Sequence, residues 1–412
     1  MSAGEAALAR VEALLAGPDA QLAERYPGAP ATRQPVHSVY VPAHRFDAAT
    51  IADWGSAALH ALDRAGGAAH LLEVHGLVPP GEERDRIGEL VVAKLRREPI
   101  EDLRVDLEDG FGDVGDEAED AAVDAAVAAL ADLDGDGALP PFVGIRFKCF
   151  EPPTRARGIR TLQRFVTGLH DRARLPEGLV LTLPKVTSVA QVEAMVLLLE
   201  ALESDLALEP GRLGFEIQVE TPQSVLGPDG TSLLPAMITA GRGRVTGMPY
   251  GTYDYSASLG IAAGDQSMEH PAADHAKAVM QVAAAGTGVR LSDGSTNVLP
   301  VGEPAAVDAA WALHGRLVTR SLRRGFYQGW DLHPAQLPSR FAATYAYFRT
   351  GLGDVVRRLE AYLERRDGDV MDEPATARAM ASFLVRGLDC GAVHDDEVPF
   401  DAARLRSLFT AR

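Results

Sequence analysis

The chain has 412 residues, 46% of them hydrophobic with charge interspersed, enough for one large α/β domain with an appendage or for two domains. Its 58 acidic residues against 40 basic ones leave a formal charge of -18, which argues against non-specific nucleic-acid binding while leaving room for a locally positive pocket that takes an anion. Two cysteines, Cys149 and Cys390, make neither a disulfide framework nor a metal knuckle, and no apolar run is long enough to suggest a membrane span; the acidic, amphipathic start lacks the order of a secretory signal, so a cytoplasmic protein is expected.

Residues 1–35 read as an N-terminal helix over 6–15 and a proline-containing linker through Pro27, Pro30 and Pro35. The first strand is expected at 38–44, followed by a helix over 48–65. Residues 66–100 read as an insertion, with a short strand, a Pro-Pro break and a helix over 87–97. The chain then settles into a rhythm of β-like runs at 103–109, 142–148, 179–185, 214–220, 244–250, 288–293 and 326–334, with helical patterns between them such as 116–132, 189–204 and 303–324. Eight strands alternating with helices predict a closed (β/α)8 TIM barrel over 36–345, an open doubly wound sheet being the alternative. Past Gln336 only helices remain, at 339–349, 353–366 and 373–386, so 346–412 reads as a C-terminal helical lid.

In such a barrel, chemistry belongs just after the strands. Those positions hold Asp106, Glu108 and Asp109, then Arg146 and Lys148, Lys185, Glu220, Asp254, Asp293, and finally Asp331 and His333. Taken singly, an acid after a strand is a solvated turn residue. Glu220 and Asp254, however, each close an apolar run, and they stand 34 positions apart, about one strand-helix unit. Adjacent strands would bring both to one rim, where a hard cation such as Mg²⁺ takes few protein carboxylates and keeps sites for substrate oxygens. Lysine is rare, at Lys94, Lys148, Lys185 and Lys277 only, which makes Lys185 at a strand end a candidate in its own right. The set offers no obvious nucleophile and fits metal-assisted enolate chemistry.

Three other signals are set aside. GRGRVTG (241–247) precedes its strand where a dinucleotide loop follows one; DLDGDG (132–137) lacks the closing glutamate of a calcium loop; His270 and His275 are off the one-turn spacing of paired metal histidines. His333 reads as a structural histidine closing the barrel at least as well as a catalytic one.

The order VDLEDG (105–110), IRFK (145–148), LPKV (183–186), QVETPQSV (218–225), GTYDYSASLG (251–260) and DLHPAQL (331–337), with SVYVPAHR (38–45) ahead of them, resembles the citrate lyase β-subunit and malyl-CoA lyase branch of the HpcH/HpaI aldolase superfamily over about 37–386. The resemblance implies that Glu220 and Asp254 bind Mg²⁺ or Mn²⁺, that Arg146 stabilises an enolate or thioester oxygen, and that Asp106 and Glu108 support this arginine and the metal's waters. It implies that Asp372, in GDVMDEPATARAMASFL (368–384), is a general acid/base reaching a neighbouring subunit's site, hence a homo-oligomer. The bottom-up alternative for Asp372 is a helix N-terminal acid ahead of Pro374. Phe147, Lys148 and Cys149 after the arginine, Pro42-Ala43-His44 in the first loop and the insertions at 66–100 and 227–233 depart from the family pattern. The expected function is carbon–carbon cleavage or condensation of a hydroxyacyl-CoA or related hydroxy acid with a 2-oxo acid. Small-molecule partners are expected, with no nucleic acid and no membrane. A CoA-independent 2-oxo acid aldolase and a catalytically silent barrel binding a metabolite or protein are the alternatives.

Overall fold

A computed structural model describes residues 3–30, 32–78, 81–364 and 372–410. Eight parallel strands, β1 (His37–Pro42), β2 (Asp102–Asp106), β3 (Phe142–Arg146), β4 (Leu179–Leu183), β5 (Phe215–Ile217), β6 (Val245–Pro249), β7 (Arg290–Ser292) and β8 (Gly329–Asp331), pair in the order β7-β6-β5-β4-β3-β2-β1-β8. A parallel bridge between Ser292 and Gln328, and an Asp293 N–H donated to the Gln328 carbonyl at 2.9 Å, draw β7 towards β8. All eight expected strands form the α/β TIM-type barrel, and the open-sheet alternative is excluded.

Helices α1 (Ala3–Arg25), α2 (Thr50–Arg64), α3 (Gly67–His75), α4 (Glu82–Arg97), α5 (Asp116–Gly135), α6 (Arg155–Arg172), α7 (Val189–Asp205), α8 (Pro222–Val225), α9 (Leu234–Ala240), α10 (Thr252–Ser258), α11 (Pro271–Ala284), α12 (Pro304–Arg323), α13 (Leu337–Leu363), α14 (Pro374–Cys390) and α15 (Ala402–Thr410) complete the described chain. None of the described helices is long and apolar enough to cross a membrane.

Strand alternation decides what fills the barrel. On β2, Leu103 and Val105 join the apolar core, while Asp102, Arg104 and Asp106 lie on the other face and are also buried. Arg104 bonds to Asp102, to Thr182 Oγ1 at 3.2 Å and to Glu216 Oε2 at 3.2 Å; Ser38 Oγ donates to Asp102 at 2.5 Å, and Gln328 Nε2 to Ser38 at 2.9 Å. This polar layer stands where TIM barrels usually hold branched aliphatics, and it keeps its polar groups hydrogen-bonded as burial requires.

Three local expectations change. The short strand expected after residue 66 is helix α3, bounded by left-handed Gly66 and Gly76, with Leu71 and Leu72 buried in the core. Helix α1 continues through Pro18 to Arg25, beyond the expected 6–15. The expected helices 339–349 and 353–366 are one helix, α13, so the boundary drawn between 345 and 346 falls inside a continuous element. Its Gly351 does not break it because α14 packs there: a Cβ on Gly351 would lie 2.8 Å from Phe383 Cζ, and Phe383 stacks edge-on against Phe348 at 5.0 Å. Residues 365–371 and 411–412 of the expected lid lie outside the described residues.

Candidate functional site

At the C-terminal ends of β2 to β6, five carboxylates face two cations. The Arg146 guanidinium, at the end of β3, grips Asp106, at the end of β2, through two parallel bonds of 2.8 Å from Nε and Nη2. Strand register sets this up, since Asp106 and Arg146 are direct neighbours in the β2–β3 pairing. The aromatic rings of Tyr40 and Trp330 lie 5.0 and 5.3 Å from the guanidinium carbon, an arrangement that favours a fixed, charged arginine. Although burial opposes it, the charge of Asp106 holds Arg146 well above its ordinary pKa.

Lys185 is the second cation. Its backbone is in the left-handed region, φ 50°, a strained conformation for a residue with a side chain. From there its N–H donates to Glu220 Oε1 at 2.8 Å, while its ammonium contacts Glu108, reaches Asp109 Oδ2 at 2.6 Å and stands 3.7 Å from Asp254 Oδ1. Burial opposes its charge too, but Glu220 and Glu108 raise its pKa. The same ammonium holds Asp109 below the usual carboxylate range against the pull of burial.

Glu220 is buried at the top of β5, which an isolated bridge between Val219 and Tyr250 extends beside β6. Gln218 Nε2 donates to its Oε2 at 2.5 Å. Space for this carboxylate depends on Gly251: a Cβ there would come within 2.5 Å of Glu220 Cβ and Oε2. Burial, then the negative charges of Glu108 and Asp254, push the Glu220 carboxyl up to about 8, the Lys185 ammonium only partly offsetting them. Burial also raises Glu108, against Arg146 and Lys185. Glu108 Oε2 is 3.3 Å from Arg146 Nη1 but outside hydrogen-bond geometry, a buried oxygen with no donor among the described residues. Asp254, in the first turn of α10, is 41% exposed and so stays open to a ligand from solvent.

This donor set fits a hard divalent cation. No three His, Cys, Asp or Glu side chains stand preassembled for a metal among the described residues. Mg²⁺ asks for less, namely one or two carboxylates with water and substrate oxygens. Here the excess of carboxylate over ammonium and guanidinium charge, the raised Glu220 and the unpartnered Glu108 oxygen all mark a site short of positive charge.

A family model matches residues 15–412. The chain belongs to the family described as a domain of unknown function, DUF6986. No curated protein matches the sequence. Among solved structures, the Haloferax volcanii malate synthase magnesium/glyoxylate complex is similar, with a TM-score of 0.51 at 13% identity over 91% of this chain and 97% of that one. Its pyruvate/acetyl-CoA ternary complex gives 0.50 at 14% identity over 86% and 91%. The protein CitE of Mycobacterium tuberculosis, in complex with magnesium, acetoacetate and coenzyme A, gives 0.49 at 19% identity over 88% of this chain and all of that one. At these identities the malate synthase likeness shows a shared fold.

Of the residues singled out from sequence, Asp106, Glu108, Arg146, Lys185, Glu220 and Asp254 converge on one rim, with Asp109 beside them. Asp372 does not join them in this chain: its carboxylate takes two bonds from Arg358 of α13, at 2.6 and 3.2 Å, and that arginine holds it below the usual range. The other strand-end groups serve the frame. Lys148 clamps the loop after β2 through the carbonyls of Leu107 and Gly112 and through Glu119. Asp293 is held by Lys277 and Ser321; Asp331 by Arg340, His37 and His314; and His333 accepts the Ala335 N–H at 3.1 Å. Sequence reading missed Gln218, which the alternation Glu216, Gln218, Glu220 along β5 signals, and the Tyr40 and Trp330 rings, which only barrel closure brings to Arg146.

Proposed function

We propose that this chain is a divalent-metal-dependent enzyme that makes or breaks a carbon–carbon bond between a 2-oxo acid and an enolate donor, with an acyl-CoA thioester as the preferred donor. The observation that carries the reading is the convergence of Glu220, Asp254 and Glu108 with Arg146 and Lys185 on one rim. The resemblance of its strand-end motifs to the citrate lyase β-subunit and malyl-CoA lyase branch supports it. So does a fold shared with a malate synthase described in complex with magnesium and glyoxylate, and with pyruvate and acetyl-CoA.

In this reading Glu220 and Asp254 hold Mg²⁺ or Mn²⁺. The bound ion supplies Lewis acidity towards the oxygens of the 2-oxo acid. Arg146, locked by Asp106 and by two aromatic rings, keeps N–H donors on Nη1 and Nη2 for an enolate or thioester oxygen, where preorganised charge lowers the barrier most. In the cleavage direction a base removes the substrate hydroxyl proton, the carbon–carbon bond breaks, and its electron pair moves onto the oxygen facing Arg146. In condensation the order reverses. Lys185 balances the carboxylates and is within reach of a substrate carboxylate. Asp372, tied to Arg358 here, takes the acid/base role only across a subunit boundary, which requires a homo-oligomer.

Titrating Mg²⁺ calorimetrically, with and without glyoxylate or pyruvate, into the native chain and Glu220→Gln tests the reading. Binding that tightens with the oxo acid and disappears in the variant is expected. No metal binding in any sample would sink it and favour a silent barrel. Turnover with a CoA thioester against the free acid then separates the thioester enzyme from a CoA-independent aldolase.

A further inference from the structure

At the opposite end of the barrel, where the parallel strands begin, the linker after α1, the start of β7 and helices α11, α14 and α15 enclose a cavity of about 270 Å³. That is near the lower limit of ordinary ligand pockets, ~300 Å³. Four residues of its wall, Gly28, Gly286, Gly288 and Gly325, all at positive φ, carry no side chains to fill it.

Two arginines line this space, Arg290, the first residue of β7, and Arg386 of α14. Neither forms an ion pair among the described residues. Arg290 Nη2 donates to the Thr32 carbonyl and hydroxyl at 3.1 and 2.6 Å, and its guanidinium faces the Phe142 ring at 5.4 Å. Arg386 Nη1 donates to Gln34 Oε1 at 2.6 Å and Nε to Ser382 Oγ at 3.3 Å, with the Tyr327 ring 4.2 Å away. Arg290 Nε and Nη1, and Arg386 Nη2, have no protein acceptor among the described residues.

Carboxylates nearby are engaged elsewhere. Asp389, on the cavity wall, bonds to Arg406 at 2.5 Å; Glu216 and Asp102, on the barrel side of Arg290, are held by Arg104. Burial lowers the pKa of both arginines; for Arg290 the charge of Glu216 opposes this and that of Arg386 adds to it, and Asp389 partly offsets it for both. Two half-buried guanidiniums facing this space, with no carboxylate in ion-pair range of either among the described residues, cost folding energy that a bound anion would offset.

We propose that this cavity is an oxyanion site, taking a phosphate or carboxylate group between Arg290 and Arg386. It is remote from the carboxylate rim and independent of the reaction assigned there. Guanidiniums suit such ligands because their planar donors match two oxygens at once.

The test is calorimetric titration of inorganic phosphate and, separately, succinate into the full chain in EDTA at constant ionic strength, with melting temperature followed in parallel. One saturable site that raises the melting temperature is expected. Affinity should fall at least tenfold in Arg386→Gln and in Arg290→Gln, and less in Arg386→Lys, which keeps the charge. Saturation by phosphate alone points to a phosphate ester, and by succinate alone to a carboxylate metabolite. Should Arg386→Gln fail to fold, the less buried Arg290→Gln decides together with the native titration. No saturable binding of either anion to the native chain, or unchanged affinity in the folded variants, overturns the proposal.

Discussion

The backbone N–H of Lys185 donates to Glu220 Oε1 at 2.8 Å while the ammonium of the same residue stands 3.7 Å from Asp254. One residue in a strained conformation thus ties together the two carboxylates expected to share a metal. Its ammonium occupies the charge-balancing role that a divalent cation would take over.

From this follows a competition. In Lys185→Met the carboxylates lose the one ammonium close to them among the described residues, so Mg²⁺ should bind at least tenfold more tightly, ~1.4 kcal/mol, while turnover falls. Calorimetry beside steady-state kinetics reads both. Weaker metal binding in the variant would mean that the lysine organises the ligands and does not compete with the ion.

The raised Glu220 carboxyl sets a pH dependence. Its value in the folded chain, about 8, lies above the free value of 4.5, so proton binding favours the folded state. That stabilisation is complete below about 4.5 and is lost as pH rises through about 8. Metal-free protein should therefore melt at progressively lower temperature between pH 6 and 9, with Glu220→Gln much flatter. Mg²⁺ affinity should climb over the same interval, because the metal must displace the proton. Melting curves in EDTA and in Mg²⁺ check both signs.

Arg146 is gripped as a fork, which a lysine cannot reproduce. Arg146→Lys keeps the charge but loses the paired bonds to Asp106, so kcat should fall by about 10²–10³ with Mg²⁺ affinity little changed. A variant with normal kcat would take Arg146 out of the chemistry and leave it a structural partner of Asp106.

Gly251 makes room for Glu220 without needing an unusual backbone angle; its φ is -93°. In Gly251→Ala the added methyl meets the carboxylate, and Mg²⁺ binding should weaken by tenfold or more although the barrel still folds. Circular dichroism with calorimetry distinguishes this from general unfolding.

Asp372→Asn should lower the melting temperature only modestly, since the amide oxygen keeps one of the part-buried bonds from Arg358. Turnover should drop by about 10², the usual size of a lost acid/base group, when the protein is assembled as an oligomer. Full turnover would remove Asp372 from the mechanism.

The eight strands and the rim carboxylates were legible along the chain because both are periodic signals: apolar runs of strand length recur between helices, and nearly every one is followed by an ionisable residue. Local pattern failed where distant packing overrides it. Gly351 and Gly353 suggest a helix break, yet α14 stacks on α13 and holds it straight through. Residues 67–75 were ambiguous as a short apolar run, and it was burial of Leu71 and Leu72 with two left-handed glycines that made them helical.

What the sequence by itself determined is the set of chemical groups and the order of strands that carry them, since alternation and spacing are properties of the covalent chain. Tertiary structure alone decided which groups meet. Barrel closure set Tyr40 and Trp330 against Arg146, turned Lys185 inward onto carboxylates from three other strand ends, and kept Asp372 on Arg358. It also left Arg290 and Arg386, 96 positions apart, facing one cavity. Charge interactions depend on separation through space and on burial, and neither is written in distance along the chain.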